Sequence, residues 1–267
     1  MTRPGDGGRR GRSDPTGGYY FGIYHWRRRL RALSVALVTG LVAVALRSTS
    51  RRPAVRCLSA LAAVWAVSRF YRVGKRLSSP PPWVVERYKY DALAEALDLS
   101  GTERLLDVGC GTGRSTVALG SHLPPSATVL ALDVFDDRVI LGNGPALARR
   151  NGRLAGVDVV PVRGDASRLP IATGSQERIT ACRVLHDLPA ERVAPALSEL
   201  HRVCAPEGRV GILELPLTPD GVEDDPEHYW RERVLGAGFS IERLERVERS
   251  GEREPYIVLV AEPTLDG

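Results

Sequence analysis

The feature that most constrains this chain is the run Leu105-Leu106-Asp107-Val108-Gly109-Cys110-Gly111-Thr112-Gly113. Its apolar front, residues 104–108, has the length and composition of a short buried strand. Three glycines then alternate with Cys110 and Thr112 before a helical pattern begins at Arg114. Glycine tolerates positive φ and lets a ligand come close to the backbone. The amides that open the next helix can serve a nucleotide's polar groups. A strand passing through such a turn into a helix belongs to a sheet whose strands end at a ligand cleft.

The pattern around that turn alternates. From Trp83 onward the spacing predicts helices over 84–97, 114–122, 143–151, 191–204 and 226–237. Strands are predicted over 104–108, 128–132, 158–163, 178–182, 209–215, 240–248 and 254–262. Strands separated by helices make a parallel sheet covered on both faces. The expected fold is therefore α/β, doubly wound and Rossmann-like, with a seven-stranded, mostly parallel sheet. The last strand runs antiparallel, paired with its predecessor through Ser250-Gly251.

The part before the sheet is different in kind. Residues 1–82 carry 16 Lys and Arg against two acids, Asp6 and Asp14, whereas residues 83–267 carry 21 bases against 30 acids. The overall charge of +5 thus averages a basic end of +14 with an acidic body of −9, and such asymmetry marks an attachment segment on a separate body. The division expected is a disordered basic tail over 1–27, a hydrophobic helical hairpin over 28–77, a Pro-rich linker over 78–84 and the body over 85–267. The uncharged cores of the hairpin, 32–46 and 57–68, reach only about 22 and 18 Å, short of the roughly 30 Å hydrocarbon layer. Flanking arginines can snorkel, which extends the windows to 28–48 and 53–73, and Trp26, Trp65, Phe70 and Tyr71 lie where interfacial aromatics belong. Four bases precede the first stretch, four lie between the two and four follow the second. A hairpin puts eight of these at one face and four at the other, which favours both termini on the cytoplasmic side. Two helices lying in the interface, or a soluble pair packed on the body, are the alternatives. Ala43-Val44-Ala45 resembles a signal-peptide cleavage site, but the stretch before it is far too long. Arginines interleaved with apolar runs, on an acidic body, argue against nucleic acid as a partner. Cys57, Cys110, Cys182 and Cys204 are scattered in no ligand spacing, so neither a disulfide framework nor a metal site is expected.

A nicotinamide dinucleotide fingerprint fits the glycine turn poorly. Its G-x-G-x-x-G spacing would place the third glycine at Arg114 or Thr116. Asp107 would also sit awkwardly beside a pyrophosphate, and suits instead a ligand that presents an ammonium group. The run resembles motif I of the class I S-adenosylmethionine (SAM)-dependent methyltransferases, and further landmarks of that family follow in order over about 85–262. The resemblance implies SAM as cofactor, bound by Asp107, Gly109, Cys110, Gly111 and Gly113 in the turn. It implies that Asp133, ending the second strand, holds both ribose hydroxyls, and that Val134 lies against the adenine. Asp165 and Ala166, after the third strand, match the position that meets the adenine amine. Arg183, His186 and Asp187, after the fourth strand, match the motif that faces cofactor and substrate, with Arg183 on the cofactor and His186 and Asp187 as candidate catalytic groups. The helix-to-strand turn at 200–209 completes the set.

Departures accompany the resemblance. The quinone, sterol and arsenite branch often has two histidines where this chain has His186-Asp187, and Arg183 replaces a small or polar residue. Asp107 can also cap the turn, and His186 and Glu214 can be structural. The basic hairpin points to a small hydrophobic or membrane-resident acceptor, and hence to a membrane-associated protein with its catalytic domain in the cytoplasm. A non-catalytic cofactor-binding scaffold and a nicotinamide-dependent oxidoreductase are the alternative functions.

Overall fold

Leu105 and Leu106 are consecutive residues of one strand, and both are fully buried. Successive side chains of a strand point to opposite faces, so that strand must be covered on both sides. The computed structural model, which describes residues 18–77, 83–249 and 253–264, has that arrangement. The expected tail up to residue 17, residues 78–82 of the expected linker and the Ser250-Gly251 turn lie outside the described residues.

In chain order the elements are β1 (Ile23–Tyr24), α1 (Trp26–Thr49), α2 (Pro53–Leu77), α3 (Tyr88–Leu97), β2 (Arg104–Val108) and α4 (Arg114–Leu119). There follow β3 (Thr128–Asp133), β4 (Ile140–Leu141), α5 (Pro145–Leu154), β5 (Asp158–Arg163) and β6 (Gln176–Cys182). The chain ends with α6 (Ala190–Val203), β7 (Cys204–Glu214), α7 (Pro226–Gly236), β8 (Phe239–Val247) and β9 (Tyr256–Pro263).

Seven strands form one sheet in the order β5-β3-β2-β6-β7-β9-β8. Pairings from β5 to β7 are parallel, and β9 is antiparallel to both β7 and β8. This is the doubly wound sheet expected, with its antiparallel last strand. On one face Leu106, Val108, Ile179 and Ile212 pack with Val193, Leu197, Leu200 and Trp230 of α6 and α7. On the other, Leu105, Val129, Ala131 and Val258 pack with Leu93, Leu97, Ala118 and Ala148 of α3, α4 and α5. The chain leaves β2 toward β3 and β5, then crosses to β6 on the opposite side. The carboxyl ends of β2 and β6 therefore diverge, which is where a doubly wound sheet opens a crevice.

Boundaries shift for local reasons. The helix expected from 84 starts at Tyr88, and the one expected from 143 starts at Pro145, since proline suits a first helical position. The strand expected from 209 begins at Cys204, where pairing with Gln176 is resumed across a bulge.

Two differences concern the basic end. Residues 18–25, expected to be disordered, lie on the body: β1 pairs with β4 in a separate two-stranded antiparallel sheet, and Phe21 is 1% exposed. Immediately after them α1 and α2 form the hairpin, with helices of 24 and 25 residues. At about 1.5 Å per residue each is roughly 36 Å long, because the helices continue through their arginine flanks. Both are long and apolar enough to cross a membrane. Their seam is made of small side chains, Ala36 and Ala43 against Ser59 and Ala66, with Gly40 facing Ala66. Leu41, Val44, Leu61 and Val67 face outward and are exposed.

Because Leu106 fills the space between the sheet and α6, Leu106→Ala is expected to lower the body's stability by about 3 kcal/mol. Denaturant unfolding of the full chain measures it.

Candidate functional site

The crevice between the ends of β2, β3 and β6 contains a cavity of about 220 Å³. Its floor is the glycine turn. Gly109, Gly111 and Gly113 all have positive φ, at 72°, 53° and 83°. A side chain at Gly109 would overlap Val184 of the turn after β6. At Gly111 a Cβ would meet nothing closer than Ile140 Cδ1 at 3.8 Å, so it would stand in the cavity itself. Gly109, Cys110 and Gly111 line the cavity, whereas Gly113 packs against the Ala148 backbone of α5.

Asp107 is near this floor but does not line it. It is fully buried, and its Oδ2 accepts hydrogen bonds from Ser115 Oγ at 2.7 Å and Thr116 Oγ1 at 2.5 Å. Its Oδ1 accepts from Thr180 Oγ1 at 3.2 Å. Burial pushes its carboxyl up, against the downward pull of those three hydroxyls. Asp107 thus braces the turn from beneath.

Asp133 occupies the cavity wall. Its Oδ2 accepts from the Gly111 amide at 2.9 Å, and its Oδ1 from the Phe135 amide at 2.6 Å and Asn143 Nδ2 at 3.2 Å. A carboxylate has about four lone-pair sites, so acceptor capacity remains. Val134, 52% exposed, and Val139 and Ile140 make the apolar side.

Asp165 and Ala166 lie elsewhere. Asp165 accepts from Ser167 through both amide and hydroxyl, which holds its carboxyl low, and pairs with Arg192 of α6 at 2.6 Å. Ala166 is part of the core beneath α6. Neither lines the cavity. Sequence order could not reveal this, because Arg192 comes from a later helix.

Arg183 follows β6 in a left-handed conformation, φ 58°, uncommon for a residue with a Cβ. It lines the cavity, and its buried Nε has no hydrogen-bond partner. Arg114, on the same wall, lies 4.8 Å from the Phe21 ring. Phe21 and Tyr24 of the N-terminal segment, together with Tyr90 and Asn143, also line the cavity. None of these was anticipated. The signal was available in Tyr19-Tyr20-Phe21-Gly22-Ile23-Tyr24, an aromatic run foreign to a disordered tail.

His186 lies outside this cavity, in a neighbouring recess with His25, and Asp187 lines both. His186 Nδ1 bonds Glu214 Oε2, and Nε2 is 3.6 Å from Asp187 Oδ1. Glu214 is fully buried, and its Oε1 also accepts from the Val184 and Leu185 amides at 3.1 and 2.8 Å. Burial alone would lower the His186 pKa, but the hydrogen bond and charge of Glu214 raise it above the ordinary 6.5. Glu214 therefore fixes both the turn after β6 and the imidazole. The thiols of Cys110 and Cys182 are pushed well up by burial, and Cys204 to about 12, so none is a reactive thiolate. Among the described residues no group of His, Cys, Asp and Glu side chains could hold a metal ion.

Comparison with known proteins agrees with this layout. Residues 105–208 match the family model described as a methyltransferase domain. The body is thus similar to the SAM-dependent methyltransferases, a likeness carried by residues 105–208. A demethylmenaquinone methyltransferase of Thermus thermophilus is 30% identical to this methyltransferase domain over 149 residues, 56% of this chain and 63% of the relative. Its counterpart from Lactobacillus johnsonii is 34% identical over 110 residues, 41% of this chain and 42% of the relative. The chain thus spans less than two thirds of the length of either relative. Among solved structures, the Burkholderia thailandensis 1,6-didemethyltoxoflavin-N1-methyltransferase, crystallised with S-adenosylhomocysteine, superposes with a TM-score of 0.53 at 22% identity, covering 67% of this chain and 80% of its own. The cyclase SpnF also superposes at 0.53, with 21% identity over 66% of this chain and 80% of its own. At such identities the likeness is one of fold.

The His186 pKa generates a pH dependence. A raised folded-state pKa contributes stability that is complete below the unfolded value, about 6.5, and is lost as pH rises through the folded value. Unfolding midpoints of the methyltransferase domain are therefore expected to fall from about pH 6 upward, and His186→Gln to remove that part of the slope.

Proposed function

We propose that this chain binds SAM in the crevice and transfers its methyl group to a small hydrophobic acceptor beside a membrane. The observation that carries the reading is the cavity at the diverging ends of β2, β3 and β6. There a glycine floor, the Asp133 carboxylate and the unpartnered Arg183 Nε converge. These groups fit the cofactor's parts. Asp133 has about one acceptor site left, enough for one of two vicinal hydroxyls, and Val134, Val139 and Ile140 suit the flat face of a base. Arg183 and Arg114 suit a carboxylate, as guanidinium groups pair well with carboxylates. When bound, SAM supplies a methyl group already activated on a sulfonium.

The chain's own task is then alignment and exclusion of water. His186, held through Nδ1 by Glu214, keeps Nε2 for the proton of an acceptor hydroxyl, and Asp187 joins its recess to the cofactor cavity. A carboxylate on Nδ1 orients a histidine and raises the basicity of its other nitrogen, so Nε2 takes that proton whenever His186 starts neutral.

The acceptor class rests on two supports. The relatives named above are demethylmenaquinone methyltransferases, which suggests a quinone-like ring. The hairpin's outward face of exposed leucines and valines suits lipid better than water. With Arg27, Arg28, Arg29, Arg31, Arg69, Arg72, Lys75 and Arg76 at the body end against four arginines at the far turn, the charge rule puts the body in the cytoplasm.

Calorimetric titration of the full chain with SAM is expected to show saturable binding, weakened about tenfold or more by Asp133→Ala. Absence of binding by the wild type sinks the cofactor assignment, and binding without methylation of any component of a native membrane extract leaves a scaffold. The protein is further expected to stay with membranes on carbonate extraction. Release into the supernatant would exclude a spanning hairpin.

A further inference from the structure

The segment between the basic tail and α1 is seated on the cofactor cavity. Phe21 and Tyr24 line the cavity, yet both precede the hairpin and are separated from the methyltransferase domain by its two helices. The seating is specific along its whole length. Arg150 Nη2 donates to the Gly18 carbonyl at 3.1 Å, and Asn151 Nδ2 to the Tyr20 carbonyl at 2.8 Å. Thr112 Oγ1, in the glycine turn itself, donates to the Phe21 carbonyl at 3.1 Å. Ile23 and Tyr24 pair with Leu141 and Ile140. The His25 amide donates to Val139 at 2.6 Å, and Trp26 Nε1 to the Asp137 carbonyl at 2.8 Å.

Three positions in this strap have positive φ: Gly18 at 68°, Gly22 at 69° and His25 at 51°. At Gly22 a Cβ would overlap the Leu141 carbonyl, so only glycine lets the strap lie against β4. His25 is the last residue before α1 begins at Trp26.

Resting on the cofactor reading above, we propose that residues 18–26 are a lid over the cofactor cavity, so that binding and exchange of the S-adenosyl nucleotide require this strap to open and reseat. Its attachments are hydrogen bonds, the single buried side chain of Phe21 and a two-residue strand pairing, a short set of contacts that opens locally at lower cost than the core. Phe21 and Tyr24 are positioning residues supplied from outside the domain. Because the strap runs without a gap into α1, the lid is tethered at one end to the helical hairpin.

The lid is tested on the full chain in detergent or nanodiscs, with Cys57→Ser to remove the exposed thiol. One variant, Gly22→Val, unseats the strap. The other, Ile23→Cys with Leu141→Cys, joins two facing residues of the pairing, whose Cα separation in an antiparallel pair lies within disulfide range. The readout is the dissociation rate of S-adenosylhomocysteine, followed by displacement. Gly22→Val is expected to speed dissociation about tenfold or more while leaving the body's unfolding midpoint in place. The oxidised cysteine pair is expected to slow it by a similar factor, reversed by reductant. A wild type that binds no S-adenosyl nucleotide overturns the cofactor reading and the lid with it. Binding by the wild type with unchanged dissociation in both variants overturns the lid alone.

Discussion

The site depends first on a buried carboxylate. Asp107 has no exposure to water, and removing an ionised carboxylate from water costs several kcal/mol unless hydrogen bonds replace its hydration. Three hydroxyls, from Ser115, Thr116 and Thr180, do so. Two of them belong to the first turn of α4 and the third to β6. The carboxylate can therefore stay satisfied only while β2, β6 and the start of α4 keep their relative positions. The glycine turn between β2 and α4 has its ends held in this way, and its positive-φ residues follow from having to close a tight path above the acid.

A second buried acid repeats the device two strands away. Glu214, at the end of β7, accepts from the Val184 and Leu185 amides and from His186. Val184 in turn lies against Gly109, so the turn after β6 and the glycine turn brace each other across the crevice. Both enclosed acids are taken up within the fold, Asp107 by hydroxyls and Glu214 by amides and an imidazole, while Asp133 and Arg183 face the cavity with bonding capacity to spare. The division explains why a carboxylate in the most recognisable motif is a brace, and why a less conspicuous one at a strand end forms the wall.

What could be read from the sequence followed from how local its cause was. Strand residues such as Leu105, Leu106 and Val129 announce themselves by composition, and the glycine turn by its backbone requirements. Asp133 was legible because a strand end fixes where its side chain sits. The pairing of Asp165 with Arg192 of α6 was not legible, because contact across 27 positions leaves no local trace. The strap was missed for the same reason. Its partners, Asn151, Leu141 and Asp137, lie more than a hundred positions away, 111 for Trp26 and Asp137. Only its aromatic content distinguished it from the basic tail around it.

The charge asymmetry takes on a more definite meaning once the strap is in place. A basic segment that only attached the chain to a surface would need no specific contact with the acidic body. Here Trp26 begins a 24-residue apolar helix while its indole Nε1 bonds the Asp137 carbonyl, and the preceding five residues include two that wall the cavity. A fold shared with a cyclase leaves chemistry to whatever lines the crevice. In this chain part of that lining arrives with the hairpin, so the element that suits lipid and the element that encloses the cavity are one continuous stretch of backbone. The first turn of α1, the pairing of β1 with β4 and the cavity wall are therefore joined by fewer than ten residues of backbone.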